Sequence, residues 1–243
     1  MKVLNDLVGY ENLKIYQEEN WFRFSLESVL LPNFVTINLK DKNIIDLCTG
    51  NAPIPLILSL RTKARIYGIE IQKDIYNLGM DSVLYNKLED QITLINDDVN
   101  NLKDHFPNEY FDIITVNPPY FKYSDTSNVN ADNHKTVARH EKDLNLEEIV
   151  KISRYLLKNN GRLAMVHRTE RLIEILFTLK NNGLVPKKMQ FIYPNDNKES
   201  KLFMVEAVKN GNDTLKLLPP LYVHNEDGSY KEEILKIFKE PRV

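Results

Sequence analysis

The chain has 243 residues, 42% of them apolar, which is enough for one full hydrophobic core with short additions at the ends. A formal net charge of -2 gives no whole-chain basic signature, so a nucleic-acid partner has to be held by a local patch. The single cysteine, Cys48, excludes an internal disulfide and a thiolate cluster, the histidines lack metal-ligand spacing so no metal is expected, and the absence of a signal-like leader or a bilayer-length apolar run predicts a cytoplasmic protein with no membrane partner.

Residues 10–24 carry Leu13, Ile15, Trp21, Phe22 and Phe24 around the polar Gln17-Glu18-Glu19-Asn20, which predicts a hairpin turning at those polar residues. Ser25 to Leu31 reads as a helix, with Ser25 or Ser28 near its start and Pro32 as its stop. From Asn43 to Lys209 short β-branched runs alternate with helical stretches, the pattern of a parallel sheet covered by helices. Strands are expected at 43–48, 65–70, 91–96, 111–116 and 161–167, with helices at 73–87, 145–157 and 169–182. Two more strands, 188–193 and 201–208, are joined by the polar Pro194-Asn195-Asp196-Asn197-Lys198, too short for a parallel crossover. The expected fold is α/β, Rossmann-like, with a seven-stranded, mostly parallel sheet that includes an antiparallel C-terminal strand. Residues 1–40 are expected to form a hairpin and helix packed on this core, 41–210 the core domain, and 211–243 an appendage containing Leu217 to Val223 and the amphipathic stretch Tyr230 to Lys239.

Polar groups follow four of these strands. Asp46-Leu47-Cys48-Thr49-Gly50-Asn51-Ala52-Pro53 fits a strand-to-helix loop whose small residues let a ligand approach the backbone, with Pro53 opening the next helix. Glu70 ends the second strand at the spacing where a carboxylate commonly accepts hydrogen bonds from ribose hydroxyls. Asp98 after the third strand can accept an adenine amino group while Val99 covers the ring, or it can cap a helix over 99–106. Cys48 and Ala52 replace the three-glycine fingerprint for pyrophosphate, which disfavours a nicotinamide cofactor and suits S-adenosylmethionine, which has no phosphate. The fourth strand ends in Asn117-Pro118-Pro119-Tyr120. An exocyclic amine is a poor nucleophile because its lone pair is delocalised; an Asn oxygen and a proline-positioned carbonyl can accept both of its hydrogens, and the aromatic can stack on a flat substrate.

Together with Phe22-Arg23-Phe24-Ser25-Leu26-Glu27-Ser28-Val29-Leu30-Leu31, Gly68-Ile69-Glu70-Ile71-Gln72 and Ala138-Arg139-His140-Glu141, these motifs resemble the bacterial tRNA adenine N6-methyltransferases that modify adenosine 37 of a valine tRNA. The resemblance covers most of the chain. It implies a class I methyltransferase fold and S-adenosylmethionine held by Phe24, Asp46, Cys48, Gly50, Asn51, Ala52, Glu70, Ile71, Asp98, Val99 and Asn117. It also implies catalysis by Asn117, Pro118, Pro119 and Tyr120, and a tRNA contacted by Tyr120, Phe121, Lys122, Arg139 and His140. Ala52 stands where glycine is more usual.

Residues 121–142 read as a polar flap over the substrate. Between Lys135 and Arg171, nine basic residues stand against five acidic ones, the best candidate RNA surface, to which Lys187 and Lys188 could add. DNA adenine and protein glutamine methyltransferases share the Asn-Pro-Pro-Tyr chemistry. The roughly 40 residues before the first core strand are too few for the helical substrate domain of the glutamine enzymes, and no insert resembles a DNA target-recognition domain. A further alternative is an RNA-binding relative that keeps the fold without activity. The oligomeric state stays open, with a monomer favoured.

Overall fold

Ile44 and Ile45 are neighbours on one strand, yet each is sealed in a different hydrophobic core. Ile113 and Ile114 divide in the same way, so the sheet buries both faces, as its near-continuous apolar strands require. The computed structural model describes residues 1–19, 25–118 and 145–239. Within them lie a hairpin, β1 (Lys2–Leu7) and β2 (Tyr10–Glu18), and the strands β3 (Asn43–Leu47), β4 (Arg65–Ile69), β5 (Ile92–Ile95), β6 (Phe111–Val116), β7 (Leu157–Arg168), β8 (Leu184–Tyr193) and β9 (Leu202–Lys209). Their order is β8-β9-β7-β6-β3-β4-β5, and of these seven only β9 runs against the rest.

One face is covered by the hairpin, α1 (Glu27–Phe34), α2 (Pro53–Ser59), α3 (Lys73–Tyr85) and, from the far end of the chain, a helix over Glu232–Lys239. The other face is covered by α4 (Leu102–His105), α5 (Leu146–Leu156) and α6 (Leu172–Asn181), so the C-terminal helix is α7. Helix α5 opens with a capping box in which Asn145 accepts from the Glu148 amide at 3.0 Å and Glu148 from the Asn145 amide at 2.9 Å.

The structure corrects three expectations. The hairpin turns at Val8–Gly9, where Gly9 has φ +82°, and pairs residues 2–7 with 10–18; Gln17 and Glu18 lie at the end of β2. A Cβ at Gly9 would collide with the Cβ of Phe238, so the turn is where the N-terminus meets α7. Pro32 lies inside α1 and does not stop it. The helix runs on because its terminal carbonyls find donors: Arg61 bonds the oxygens of Pro32 and Val35, and Lys188 Nζ bonds that of Phe34 at 2.7 Å. The sheet is also wider than seven strands, since β10 (Lys216–Leu217) and β11 (Leu221–Tyr222) both pair parallel with β8.

Candidate active site

Strands β6, β3, β4 and β5 are adjacent and parallel, so the segments that follow them meet at one edge of the sheet. In open α/β sheets this carboxyl edge is the ligand edge. It carries the loop after Leu47, then Glu70, Asp98 and Asn117.

The loop is shaped by left-handed departures at three alternate residues, Cys48 (φ 56°), Gly50 (φ 59°) and Ala52 (φ 70°). A side chain disfavours this region, and Ala52 shows why glycine suits the position. The turn is tied down by Thr49 N–H to the Ile69 oxygen at 2.9 Å and by Gly50 N–H to Glu70 Oε2 at 3.0 Å. A Cβ built on Gly50 meets no atom of the described residues within 4 Å, so the backbone there borders space, among those residues, that a ligand could fill. Pro53 opens α2, as its fixed φ favours.

Glu70 and Asp46 lie side by side in this arrangement and differ in state. Glu70 is 6% exposed and accepts from the amides of Gly50 and of Gln72, the latter at 2.9 Å. Asp46 is fully buried; Thr49 Oγ1 donates to its Oδ2 at 2.7 Å and Thr115 Oγ1 to its Oδ1 at 2.6 Å. Burial pushes its carboxyl up to about 7, against the pull of the two hydroxyls, with the nearby Glu70 charge adding to the rise. These two bonds tie Asp46 to the loop and to β6. Burial likewise pushes the Cys48 thiol up, helped by the neighbouring carboxylates, which argues against a nucleophilic thiolate.

After β5, Asp98 Oδ1 accepts from the Asn100 amide at 2.8 Å and caps a short 3-10 turn over Val99–Asn101. Val99 is 5% exposed and packs into the core beneath, so little of it faces the edge. Asp97 is held below the usual carboxylate range by His105, 2.7 Å from it, and by Asn101. After β6, Asn117 Nδ2 donates to Ser28 Oγ on α1 at 3.1 Å.

Asp46, Cys48, Gly50, Asn51, Ala52, Glu70, Ile71, Asp98, Val99, Asn117 and Pro118 therefore all fall at or just beneath this edge. Phe24, Pro119, Tyr120, Phe121, Lys122, Arg139 and His140 lie outside the described residues, as does the segment read as a flap.

Sequence reasoning missed the groups that hold these residues. Thr49 and Thr115 each donate to Asp46. Asn96 donates to the backbone oxygens of Glu70 (2.8 Å) and Ile71 (3.1 Å), and Asn51 donates to the Tyr16 oxygen of the hairpin at 2.8 Å. Gly68 is required because a Cβ there would lie 2.7 Å from Leu94 and 2.9 Å from Thr49. A glycine inside a strand was the available signal for that close approach.

Among the described residues, the basic stretch before Arg171 does not form one surface. Strand β7 spans twelve residues at about 3.3 Å each and carries them from one edge of the sheet to the other. Arg162 is buried against Asp41 at 2.5 Å, Lys158 bonds Asp112 at 2.8 Å, and both face the edge opposite Asn117. Arg168 and Arg171 stand at the other end of β7, toward the carboxyl edge, and Arg171 is paired with Glu174 at 2.6 Å. Lys188 is no RNA contact either: it is enclosed by the Phe34 oxygen, Thr36 and Glu206, and burial lowers its pKa.

The strand order and the ligand edge define a class I methyltransferase fold. Residues 35–183 match the N-6 DNA Methylase family, and the chain belongs to that family. It is 28% identical over 241 residues to the tRNA1(Val) (adenine(37)-N6)-methyltransferase of Porphyromonas gingivalis, covering 96% of this chain and 93% of that one. Among solved structures it resembles a protein described as a predicted O-methyltransferase from Agrobacterium tumefaciens (TM-score 0.68, 16% identity, 88% of this chain and 97% of that one). It also resembles the geranyl diphosphate C-methyltransferase of Streptomyces coelicolor in complex with S-adenosyl-L-homocysteine (TM-score 0.58, 11% identity, 75% and 76%). At these identities the two structures share the fold alone.

Proposed function

We propose that the protein is an S-adenosylmethionine-dependent methyltransferase acting on the exocyclic N6 of adenine in a tRNA anticodon loop, at adenosine 37 of a valine tRNA. The observation that carries this reading is Asn117 at the end of β6, adjacent to the loop at Gly50 and oriented by a bond from its own amide nitrogen. Membership of the N-6 methylase family supports the chemistry, and the name of the P. gingivalis relative supports the tRNA.

The residues present fit the cofactor. Among the described residues Gly50 borders open space, and a carboxylate accepts about four hydrogen bonds, so Glu70 can hold the Gly50 and Gln72 amides and still meet ribose hydroxyls. Asp98 would accept the adenine amino group, and Asp46 would act through Thr49 and Thr115 by bracing the loop. S-adenosylmethionine supplies, when bound, an electrophilic sulfonium methyl group.

Asn117 Oδ1 and the Pro118 carbonyl would accept the two hydrogens of the target NH2, drawing the nitrogen lone pair out of conjugation and stabilising positive charge as it develops. Tyr120 would stack on the base, and Phe121, Lys122, Arg139 and His140 would contact the nucleotide. A loop base leaves its stack at less cost than one in a duplex, which suits an anticodon target. No helix among the described residues is long and apolar enough to cross a membrane. A tRNA substrate agrees with a cytoplasmic location, and the reading treats the enzyme as a monomer that needs no metal.

The test is methyl transfer from labelled S-adenosylmethionine to total tRNA lacking N6-methyladenosine, with the product nucleoside identified and located by mass spectrometry. N6-methyladenosine at one anticodon-loop position is expected. Label appearing only in DNA or in protein glutamine would overturn the reading.

A further inference from the structure

We propose that Ser28 is the positioning residue for Asn117, anchoring its carboxamide to α1 so that the side chain is held beside the target amine. The inference rests on the Asn117 role proposed above. An asparagine amide has two ends of nearly equal size, one accepting and one donating, and only the oxygen can take hydrogens from an amine. With Nδ2 bonded to Ser28 Oγ at 3.1 Å, the acceptor end is turned away from α1. Without that anchor the carboxamide rotates freely, and in the flipped orientation the substrate meets a second NH2.

A positioning group has to be immobile itself, and α1 satisfies this condition. Every residue from Ser28 to Phe34 is buried. The far end of α1 and the turn after it are pinned from four directions. Arg61 and Lys188 hold the terminal carbonyls. Glu206 accepts from the Thr36 amide at 2.6 Å and its hydroxyl at 2.8 Å. Asn33 donates to Tyr10 Oη at 2.8 Å, which donates in turn to the Ile237 oxygen at 3.1 Å. The hairpin, β9 and α7 thus converge on the helix that presents Ser28, and rigid support of this kind is what holds a catalytic side chain in register.

The experiment compares Ser28→Ala, Ser28→Cys and Ser28→Thr with the parent and with Asn117→Ala. Steady-state methylation of the tRNA is measured beside calorimetric cofactor affinity, RNA affinity and thermal melting. Losing one orienting hydrogen bond should lower kcat by about fivefold to tenfold in Ser28→Ala, with KM and both affinities within about twofold. Cysteine fills the same volume with a poor donor and acceptor and should show the same loss, so a void cannot explain it. Threonine keeps the hydroxyl and should restore most of kcat. In a labelled sample, the Asn117 side-chain NH2 resonances should shift and exchange faster in Ser28→Ala than in Ser28→Thr.

If Ser28→Ala and Ser28→Cys both keep the parental kcat while Asn117→Ala loses it, the positioning role is wrong and the Asn117 reading stands. If Asn117→Ala itself turns over normally, the underlying reading fails instead. A Ser28→Ala loss that appears only in melting temperature would also reject the proposal.

Discussion

Asp46 and Glu70 are two carboxylates at the ends of neighbouring strands, and the protein treats them in opposite ways. Asp46 is sealed from solvent, and burial pushes its carboxyl up to about 7 against the pull of the two hydroxyls that donate to it. Glu70 accepts from the Gly50 amide of the loop it faces and from the Gln72 amide two residues further on. Two acidic residues equally prominent in sequence thus differ in their partners, side-chain hydroxyls for Asp46 and backbone amides for Glu70. The contrast extends to the amine side of the edge, where Asn117 depends on a helix 89 positions earlier.

The largest expected effect falls on the amine side. Asn117→Ala should lower turnover by about a hundredfold or more, the scale for removing one preorganised polar partner of a developing charge, while cofactor affinity measured by calorimetry stays within about twofold. Glu70→Ala should show the reverse pattern, with cofactor binding weakened about tenfold or more through the lost ribose contacts and the loosened Gly50 amide. Equal cofactor affinity in parent and Glu70→Ala would erase the distinction between the two carboxylates.

Asp46 predicts a pH signature. Its folded value, about 7, lies above the ordinary 3.8, so its contribution to stability is fully present below about pH 4 and is lost as pH rises toward 7. His167 acts the other way: burial lowers it to about 4, and stability falls as pH drops from about 6.5 through that value. The difference between Asp46→Asn and parent isolates the aspartate. The variant's melting temperature should gain on the parent's between pH 4 and 7 and run parallel above; a constant offset across that range would show that Asp46 ionises normally. The smallest effect belongs to the loop backbone. Ala52→Gly removes a left-handed alanine at the cost of unfolded-state entropy and should stabilise by about 0.5–1 kcal/mol, read by denaturant unfolding, where no change would show that Ala52 carries no strain.

The sequence by itself determined the parts that depend on neighbours in the chain. Alternation of Ile44 with Ile45 sets the strand faces, the short polar link at 194–198 dictates an antiparallel return, Pro53 starts α2, and the spacing from Gly50 to Glu70 follows from one strand–helix–strand unit. These signals are local in geometry, so residue type is enough to read them. Only the tertiary structure decided the partners. Nothing near Gly9 announces Phe238, nothing near Thr36 announces Glu206, and a count of charge along the chain cannot tell that β7 delivers Arg162 and Arg168 to opposite edges. A hydrogen bond or a close packing contact is fixed by where the sheet order places two elements. That Ser28 meets Asn117, and that Thr49 and Thr115 meet Asp46, was decided by strands and helices closing on one another.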